Sequence, residues 1–193
     1  MKHIGVIIGS TRPNRVGPTI TKWLLQSITP RHNISFEIID LKAWNLPLLD
    51  EPEMPAKGIY ANEKTKQWSE EIKSKDGFIF VTPQYNLGYP ASLKNAVDYL
   101  FKEWNEKPAI IASYAYRGGG KAADQFRQVT SGLKLKTVET MPAINLSVEM
   151  FNEEGRIKDD VDGFDQYSEV INKAVTEMEE EFNKLEEKPV NPL

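Results

Sequence analysis

Short apolar runs alternate with helical patterns along this chain, and that alternation constrains its fold more than any other feature. A short apolar run suits a strand that is buried on both faces of a sheet. Strands are predicted at 4–8, 34–41, 78–81, 109–112 and 137–147, with Pro142 interrupting the last. Because helices connect these strands in turn, the strands are expected to be parallel, with helices covering both faces of the sheet.

Apolar residues at helical spacing predict the connecting helices. Helices are expected over about 16–28, 61–75, 92–104, 121–133 and 171–185. The proline-containing segment 42–60 and the charged segment 152–163 are expected to be irregular connections. This order of elements favours an α/β three-layer sandwich around a five-stranded parallel sheet of order 2-1-3-4-5. In that topology, ligands bind where the strand order reverses.

The composition limits the classes of function. The 193 residues include 24 basic and 28 acidic side chains, and the net charge of −4 disfavours nucleic-acid binding. No window approaches the roughly 20 apolar residues of a membrane helix, so we expect a soluble, cytoplasmic protein. The chain has no cysteine, which excludes disulfides, thiolate catalysis and cysteine zinc sites. A single domain is expected over 1–188, followed by a tail at 189–193.

The loop predicted after the first strand has features of a phosphate site. It runs from Gly9 to Gly17 and contains hydroxyl groups, Arg12 and Arg15. The free N–H groups that begin the next helix favour a phosphate, and so do forked guanidinium groups. The loop matches neither the G-x-G-x-x-G nor the G-x-x-x-x-G-K-[ST] pattern. Taken alone, it fits a solvated turn with surface arginines equally well.

Two further loops have unusual compositions. Residues 82–90 combine stiffening prolines with amides and Tyr85, which suits the edge of a flat heterocycle. Residues 113–120 combine two tyrosines with three glycines, which permits close approach of the backbone to a ring. Either loop alone fits an ordinary turn before a helix. However, the three loops follow strands one, three and four, where this topology places its ligand.

At these residues the chain resembles the NADPH-dependent FMN reductase family, which includes reductases of quinones and azo compounds. The family's flavin-edge motif is usually TPEYN…P…LKNA. The matching segments are Gly9-Ser10-Thr11-Arg12 with Arg15-Val16, Thr82-Pro83-Gln84-Tyr85-Asn86 with Pro90 and 93–96, and Ser113-Tyr114 with 118–120. The resemblance covers about residues 3–150 and implies a flavodoxin-like fold that binds FMN.

The resemblance also implies, position by position, which residues bind FMN. Contacts to the phosphate are implied for Ser10, Arg12, Arg15, Val16 and Gly17. Contacts to the isoalloxazine are implied for Pro83, Gln84, Tyr85 and Asn86, and contacts to its pyrimidine side for Ser113, Tyr114 and Gly118. No catalytic side chain and no metal ligand are implied, because a flavin carries the redox chemistry itself.

The implied activity is that of an NAD(P)H-dependent oxidoreductase. Hydride would pass from NADPH or NADH to flavin N5 and then to a small-molecule acceptor, such as a quinone, an azo compound or another flavin. The family's usual assembly implies a homodimer or homotetramer, with helix 92–104 at the interface. A flavodoxin-type FMN electron carrier and a scaffold without cofactor stay open as alternatives.

The chain departs from the family pattern at two places. Gln84 stands where glutamate is commoner, which removes a charge near the predicted site. Ala115 and Tyr116 stand where many members have two glycines, and their side chains are expected to change the space for the substrate. The two histidines, His3 and His32, are expected to lie outside the crevice.

Overall fold

A computed structural model describes residues 1–158 and 162–187 of the protein. The strands are β1 (Lys2–Ile8), β2 (Ile34–Asp40), β3 (Gly77–Pro83), β4 (Pro108–Ala115), β5 (Lys136–Thr137) and β6 (Ala143–Asn145). The helices are α1 (Gly17–Ser27), α2 (Leu41–Trp44), α3 (Glu63–Lys73), α4 (Ala91–Asp98), α5 (Gly120–Gly132) and α6 (Ser168–Glu186). The predicted tail at 189–193, the predicted domain end at 188 and residues 159–161 of the predicted connection lie outside the described residues.

The strands form one parallel sheet in the order β2-β1-β3-β4, and both β5 and β6 pair with the other side of β4. The predicted order 2-1-3-4-5 is confirmed, with two short strands sharing the fifth position. Residues 138–142 lie between them, where Pro142 has no N–H to donate to the ladder. Its carbonyl oxygen instead accepts a hydrogen bond from Ser113 N at 2.9 Å.

Helices cover both faces of the sheet and complete the predicted three layers. Successive residues of a strand point to opposite faces, so Val6 belongs to one apolar cluster and Ile7 to the other. The first cluster includes residues of α1 and α6, and the second includes residues of α3, α4 and α5. Trp68 of α3 is fully buried, and its indole N–H donates to Ala96 O of α4 at 2.9 Å.

The helix predicted over 92–104 is shorter in the structure, because α4 ends at Asp98. Beyond it the chain continues in turns, in which Trp104 N donates to Phe101 O at 3.2 Å. Leu100 and Trp104 remain buried in the core. The apolar residues keep their helical spacing beyond the end of α4, because these turns also direct every third or fourth side chain into the core. The predicted helix was therefore too long.

The connection 42–60 is irregular as predicted, apart from α2 and a single turn at Pro55–Lys57. Its end is fixed by Tyr60, whose hydroxyl donates to the two carboxylate oxygens of Glu103 at 2.9 and 3.0 Å. Glu103 is buried and also accepts a hydrogen bond from Ser69 Oγ at 2.6 Å. Two hydroxyl donors thus satisfy a buried carboxylate and tie the connection to α3.

Candidate functional site

A cleft of about 340 Å³ opens at the carboxyl ends of β1, β3 and β4, where the three unusual loops meet. Its lining is Ser10, Arg12, Asn14, Arg15, Val16, Pro83, Gln84, Tyr85, Tyr114, Ala115, Tyr116, Leu146, Phe151 and Gly155. Eight of the twelve predicted site residues are among them. The other four do not line the cleft: Asn86 and Gly118 lie in its loops, Gly17 begins α1, and Ser113 lies in β4.

The guanidinium of Arg15 is already engaged within the protein. It forms a two-point ion pair with the carboxylate of Asp40, at the end of β2, and donates to Ser10 O at 2.7 Å. Burial acts to raise the pKa of Asp40, but the contacts from Arg15 and from Lys42 N outweigh it, and the pKa is lowered. Arg15 therefore holds the loop after β1 against β2, and its guanidinium group is directed at the carboxylate of Asp40.

Arg12 and the start of α1 are the groups of this loop that can receive an anion. Arg12 is exposed and lies over the ring of Tyr85, 5.7 Å from its centroid. It has no ion pair within the part of the chain that the structure describes. No side chain caps α1, so the first N–H groups of this helix, including that of Thr19, have no side-chain partner. The helix dipole at this end also favours negative charge.

Gly17 lets α1 begin directly against the sheet. A Cβ atom at this position would lie 2.9 Å from Ile8 Cγ2 and 3.0 Å from the hydroxyl oxygen of Tyr114. Tyr114 is 4% exposed, and its burial raises the pKa of its hydroxyl well above the usual range. The hydroxyl thus keeps its proton at neutral pH beside the start of α1.

The loop after β3 forms a tight hairpin turn. Tyr85 and Gly88 exchange both backbone hydrogen bonds, at 2.7 and 2.9 Å. Between them Asn86 and Leu87 both have positive φ, at 49° and 70°, as a type I′ turn requires. The Tyr85 hydroxyl lies 2.7 Å from Ser10 Oγ, which joins this loop to the loop after β1.

Gln84 connects the loop after β3 to α5. Its backbone N–H donates to Tyr114 O at 3.1 Å, and its side-chain Oε1 accepts from Ala122 N at 3.2 Å. Ala122 lies in the first turn of α5, and its N–H is shared between this amide oxygen and Gly119 O, which it meets at 3.0 Å. The orientation of the amide follows, because its oxygen must face the N–H donor.

Ser113 and Gly118 shape the loop after β4 from within. The Ser113 hydroxyl is fully buried and donates to Gly118 O at 3.0 Å. Gly118 and Gly119 have φ of 76° and 77°, a left-handed conformation that glycine adopts without strain. A Cβ atom at Gly119 would lie 3.0 Å from Tyr114 N. The glycines therefore permit the sharp turn that brings Ala115 and the residue after it to the cleft.

The sequence reasoning missed the wall formed by the segment after β6. Leu146, Phe151 and Gly155 line the cleft from this segment. Phe151 is half-buried, and its ring lies against that of Tyr116, with 5.9 Å between centroids. The one available signal was an aromatic residue at the edge of a charged connection.

The structure holds the histidines away from the cleft, as predicted. His3 Nδ1 lies 2.9 Å from Ser35 Oγ at the start of β1, and His32 is exposed before β2. Within residues 1–158 and 162–187, no three His, Cys, Asp or Glu side chains are grouped so that they could hold a metal ion. None of the helices described is long and apolar enough to cross a membrane.

Comparison with known proteins gives a consistent family. The sequence model of the NADPH-dependent FMN reductase family matches residues 2–149. An NAD(P)H-dependent FMN reductase of Schizosaccharomyces pombe is 48% identical over 143 residues, which cover 73% of this chain and 72% of that protein. A quinone reductase of Pseudomonas putida is 28% identical over 164 residues, covering 81% of this chain and 84% of that protein.

A solved structure shares the fold. It is that of FerB, a flavoenzyme NAD(P)H:(acceptor) oxidoreductase of Paracoccus denitrificans. The TM-score is 0.72 at 20% identity, and the match covers 94% of this chain and 99% of that one.

Proposed function

Because this chain belongs to the NADPH-dependent FMN reductase family, we propose that it binds FMN in the cleft described above and transfers electrons from NAD(P)H to a quinone or a related acceptor. FMN is the cofactor of the family, and NAD(P)H is its electron donor. The observation that carries the proposal is the cleft itself. It combines an uncapped helix start and a free arginine with walls that suit a flat ring.

The donors around α1 fit the phosphate of FMN. Ser10 supplies a hydroxyl, Arg12 supplies an exposed guanidinium, and the start of α1 supplies N–H groups and a favourable dipole. We assign Arg15 a positioning role instead of the phosphate contact suggested by the resemblance. Its fork is directed at Asp40, and it holds Ser10 through the carbonyl oxygen.

The other walls of the cleft fit the isoalloxazine. Pro83, Gln84 and Tyr85 form one side, and Tyr114 and Ala115 form another. Gln84 offers its Nε2–H donors to the ring, because its oxygen is held by Ala122 N. The Ser113 hydroxyl, which donates to Gly118 O, and the positive φ of Asn86 support the loops that carry these walls.

The protein's part in the reaction is to bind, orient and shield. Bound FMN supplies the two-electron chemistry that links NAD(P)H to the acceptor. No side chain of the cleft needs to act as a base, and Tyr114 stays protonated because burial raises its pKa. The preorganised N–H groups of Gln84 and of the loops are dipoles that favour negative charge on a bound ring.

We also propose that the protein is a homodimer or homotetramer in the cytoplasm and that its acceptor is a small molecule. The support for assembly is a set of large apolar side chains left exposed on the monomer, among them Leu48, Met54 and Ile59. Light scattering after size-exclusion chromatography measures the assembly directly.

The central test is an anaerobic spectrum of the FMN-loaded protein before and after addition of NADPH. Bleaching of the visible flavin band within turnover time, and its return on adding a quinone, are the expected results. If FMN binds but NADPH leaves it oxidised, the flavodoxin-type carrier is the better account. If FMN does not bind at all, the cleft does not serve as proposed.

A matched pair of ligands tests the phosphate assignment. Arg12→Met is expected to weaken FMN binding about tenfold, since it removes a charged contact worth about 1.5 kcal/mol. Riboflavin, which lacks the phosphate, should bind wild type and variant alike. An equal loss for both ligands would mean that Arg12 acts on the ring and not on the phosphate.

A further inference from the structure

Tyr116 and Phe151 form an aromatic pair at the cleft, although they come from separate loops. Tyr116 follows β4, and Phe151 follows β6. Their ring centroids are 5.9 Å apart, with 43° between the ring planes. Both residues line the cleft, together with Leu146. This end of the cleft is therefore apolar and aromatic.

The sheet order places this pair away from the phosphate loop. The cleft runs across the carboxyl ends of β1, β3, β4 and β6, in that spatial order. Ser10 and Arg12 lie over β1, and the aromatic pair lies over β4 and β6. FMN bound with its phosphate over β1 would thus have the aromatic pair beside its ring, at the end of the cleft that the phosphate loop does not reach.

Tyr116 is exposed over 63% of its surface, which is a large apolar area to leave in water. Its hydroxyl makes no hydrogen bond to any other described residue, so hydrogen bonding within the protein does not explain its place. Its backbone is nevertheless fixed. The carbonyl oxygen of Ala115 accepts from both Gly118 N at 3.1 Å and Leu146 N at 2.9 Å. The ring is thus presented to the cleft by an ordered turn.

Phe151 is held from the other side. Its N–H donates to Val148 O at 3.1 Å, and it forms an antiparallel bridge with Ile157. Its side chain also packs against the core cluster that includes Ile157. Phe151 thus packs against the Tyr116 ring, and Tyr116 still keeps 63% of its surface exposed.

We propose that Tyr116 and Phe151 form the contact surface for the ring of the electron acceptor, so that the site selects flat conjugated acceptors, such as quinones, over inorganic ones. The inference rests on the proposed function. The net reaction is NAD(P)H plus H⁺ plus quinone, giving NAD(P)⁺ and hydroquinone, with two electrons transferred. Aromatic rings attract one another beyond the burial of their surface, whereas an inorganic complex gains nothing from this contact.

The test compares two acceptors in the FMN-loaded protein: 1,4-naphthoquinone, which is flat and aromatic, and ferricyanide, which is neither. Tyr116→Ala is expected to raise the KM for the naphthoquinone about fivefold relative to the KM for ferricyanide. Tyr116→Phe should keep the wild-type ratio, because the ring and not the hydroxyl makes the contact. Val148→Ala removes an exposed apolar side chain of the same segment outside the cleft and should also keep the ratio.

Calorimetric titration of the oxidised, FMN-loaded protein with 1,4-naphthoquinone gives a second measurement, independent of turnover. Tyr116→Ala should weaken this binding by a similar factor, with FMN content unchanged. If wild type reduces ferricyanide but Tyr116→Ala leaves both the KM ratio and the titration unchanged, the inference is wrong and the reductase function stands. If NADPH drives reduction of neither acceptor, the proposed function itself fails.

Discussion

The guanidinium of Arg15 and the carboxylate of Asp40 form a two-point ion pair that joins the loop after β1 to the end of β2. The side chain of Arg15 is 10% exposed and that of Asp40 27%, so solvent only partly screens the pair. The same arginine holds Ser10 O at 2.7 Å. The shape of the loop thus depends on a charge at the end of a neighbouring strand.

The Arg15–Asp40 pair predicts a specific acid sensitivity. The pKa of Asp40 is lower in the folded protein than the value of about 3.9 in an unfolded chain. The stability it contributes is therefore present above about pH 3.9 and is lost as the pH falls through the folded pKa. Asp40→Asn should be less stable than wild type at pH 7, by about 1 kcal/mol, and the difference should vanish in acid.

Urea unfolding between pH 2.5 and 7 measures this difference. The matched control is Asp98→Asn, which breaks the exposed pair of Asp98 with Lys94 and should change the stability little. An Asp40→Asn difference that is the same at every pH would contradict the role given to this carboxylate.

The position of Gln84 leads us to expect that a negative charge added there raises the stability of the protein and lowers the reduction potential of bound FMN. In Gln84→Glu, a carboxylate oxygen can still accept from Ala122 N, and its charge lies at the favourable end of α5. The free energy of unfolding should rise by about 0.5 kcal/mol. The same charge faces the bound ring, so the reduction potential of FMN should fall. Each tenfold weakening of the binding of reduced FMN relative to oxidised FMN lowers this potential by about 30 mV.

Thermal unfolding and a spectroscopic redox titration measure the two effects of Gln84→Glu. Gln128→Glu adds the same charge to an exposed position of α5 and should leave the potential unchanged. If Gln84→Glu raises the potential or leaves it as in wild type, then the side chain does not face the ring.

We expect the substitution Leu87→Gly to stabilise the protein. Leu87 has φ of 70° in a type I′ turn and is 54% exposed, so its side chain gains little from the strained backbone. Leu87→Gly creates the preferred Asn-Gly pair and should raise the free energy of unfolding by about 0.5 kcal/mol, because relief of strain exceeds the added entropy cost. Leu48→Gly, at an exposed position without positive φ, should be neutral or destabilising. Denaturant titration distinguishes the two, and equal effects would argue against strain at Leu87.

We expect the contribution of Lys107 to the free energy of unfolding to increase in alkaline solution. Its ammonium group donates to Ile72 O at 2.7 Å, and burial lowers its pKa to about 8. An unfolded chain keeps the proton up to about pH 10.4 and so binds more protons between these values. Stability contributed by this site should therefore rise with pH from about 8 to about 10.4.

The measurement for Lys107 is the difference in unfolding free energy between wild type and Lys107→Met across this range of pH. Lys22→Met removes an exposed lysine of α1 and should follow the wild-type curve. Parallel curves for wild type and Lys107→Met would show that the proton stays on the folded protein.

Much of the fold could be predicted because its signals are local. The apolar runs specified the strands, and the order of elements specified their arrangement in the sheet. The end of α4 at Asp98 was not predictable in this way, because turns bury Leu100 and Trp104 with the same spacing as a helix. The sequence predicted one last strand interrupted at Pro142, whereas the structure has two short strands, β5 and β6, with residues 138–142 between them.

For the candidate site, the sequence predicted which loops form it but not which side chains contact one another there. The sequence by itself determined that three unusual loops follow strands one, three and four, because strand periodicity and turn residues act over a few neighbours. Only the tertiary structure decided that Arg15 faces Asp40, that Gln84 caps α5, and that Tyr116 meets Phe151. Each of these pairs joins residues far apart in the chain, and their contacts depend on strand register and on the path of loops that no local pattern records.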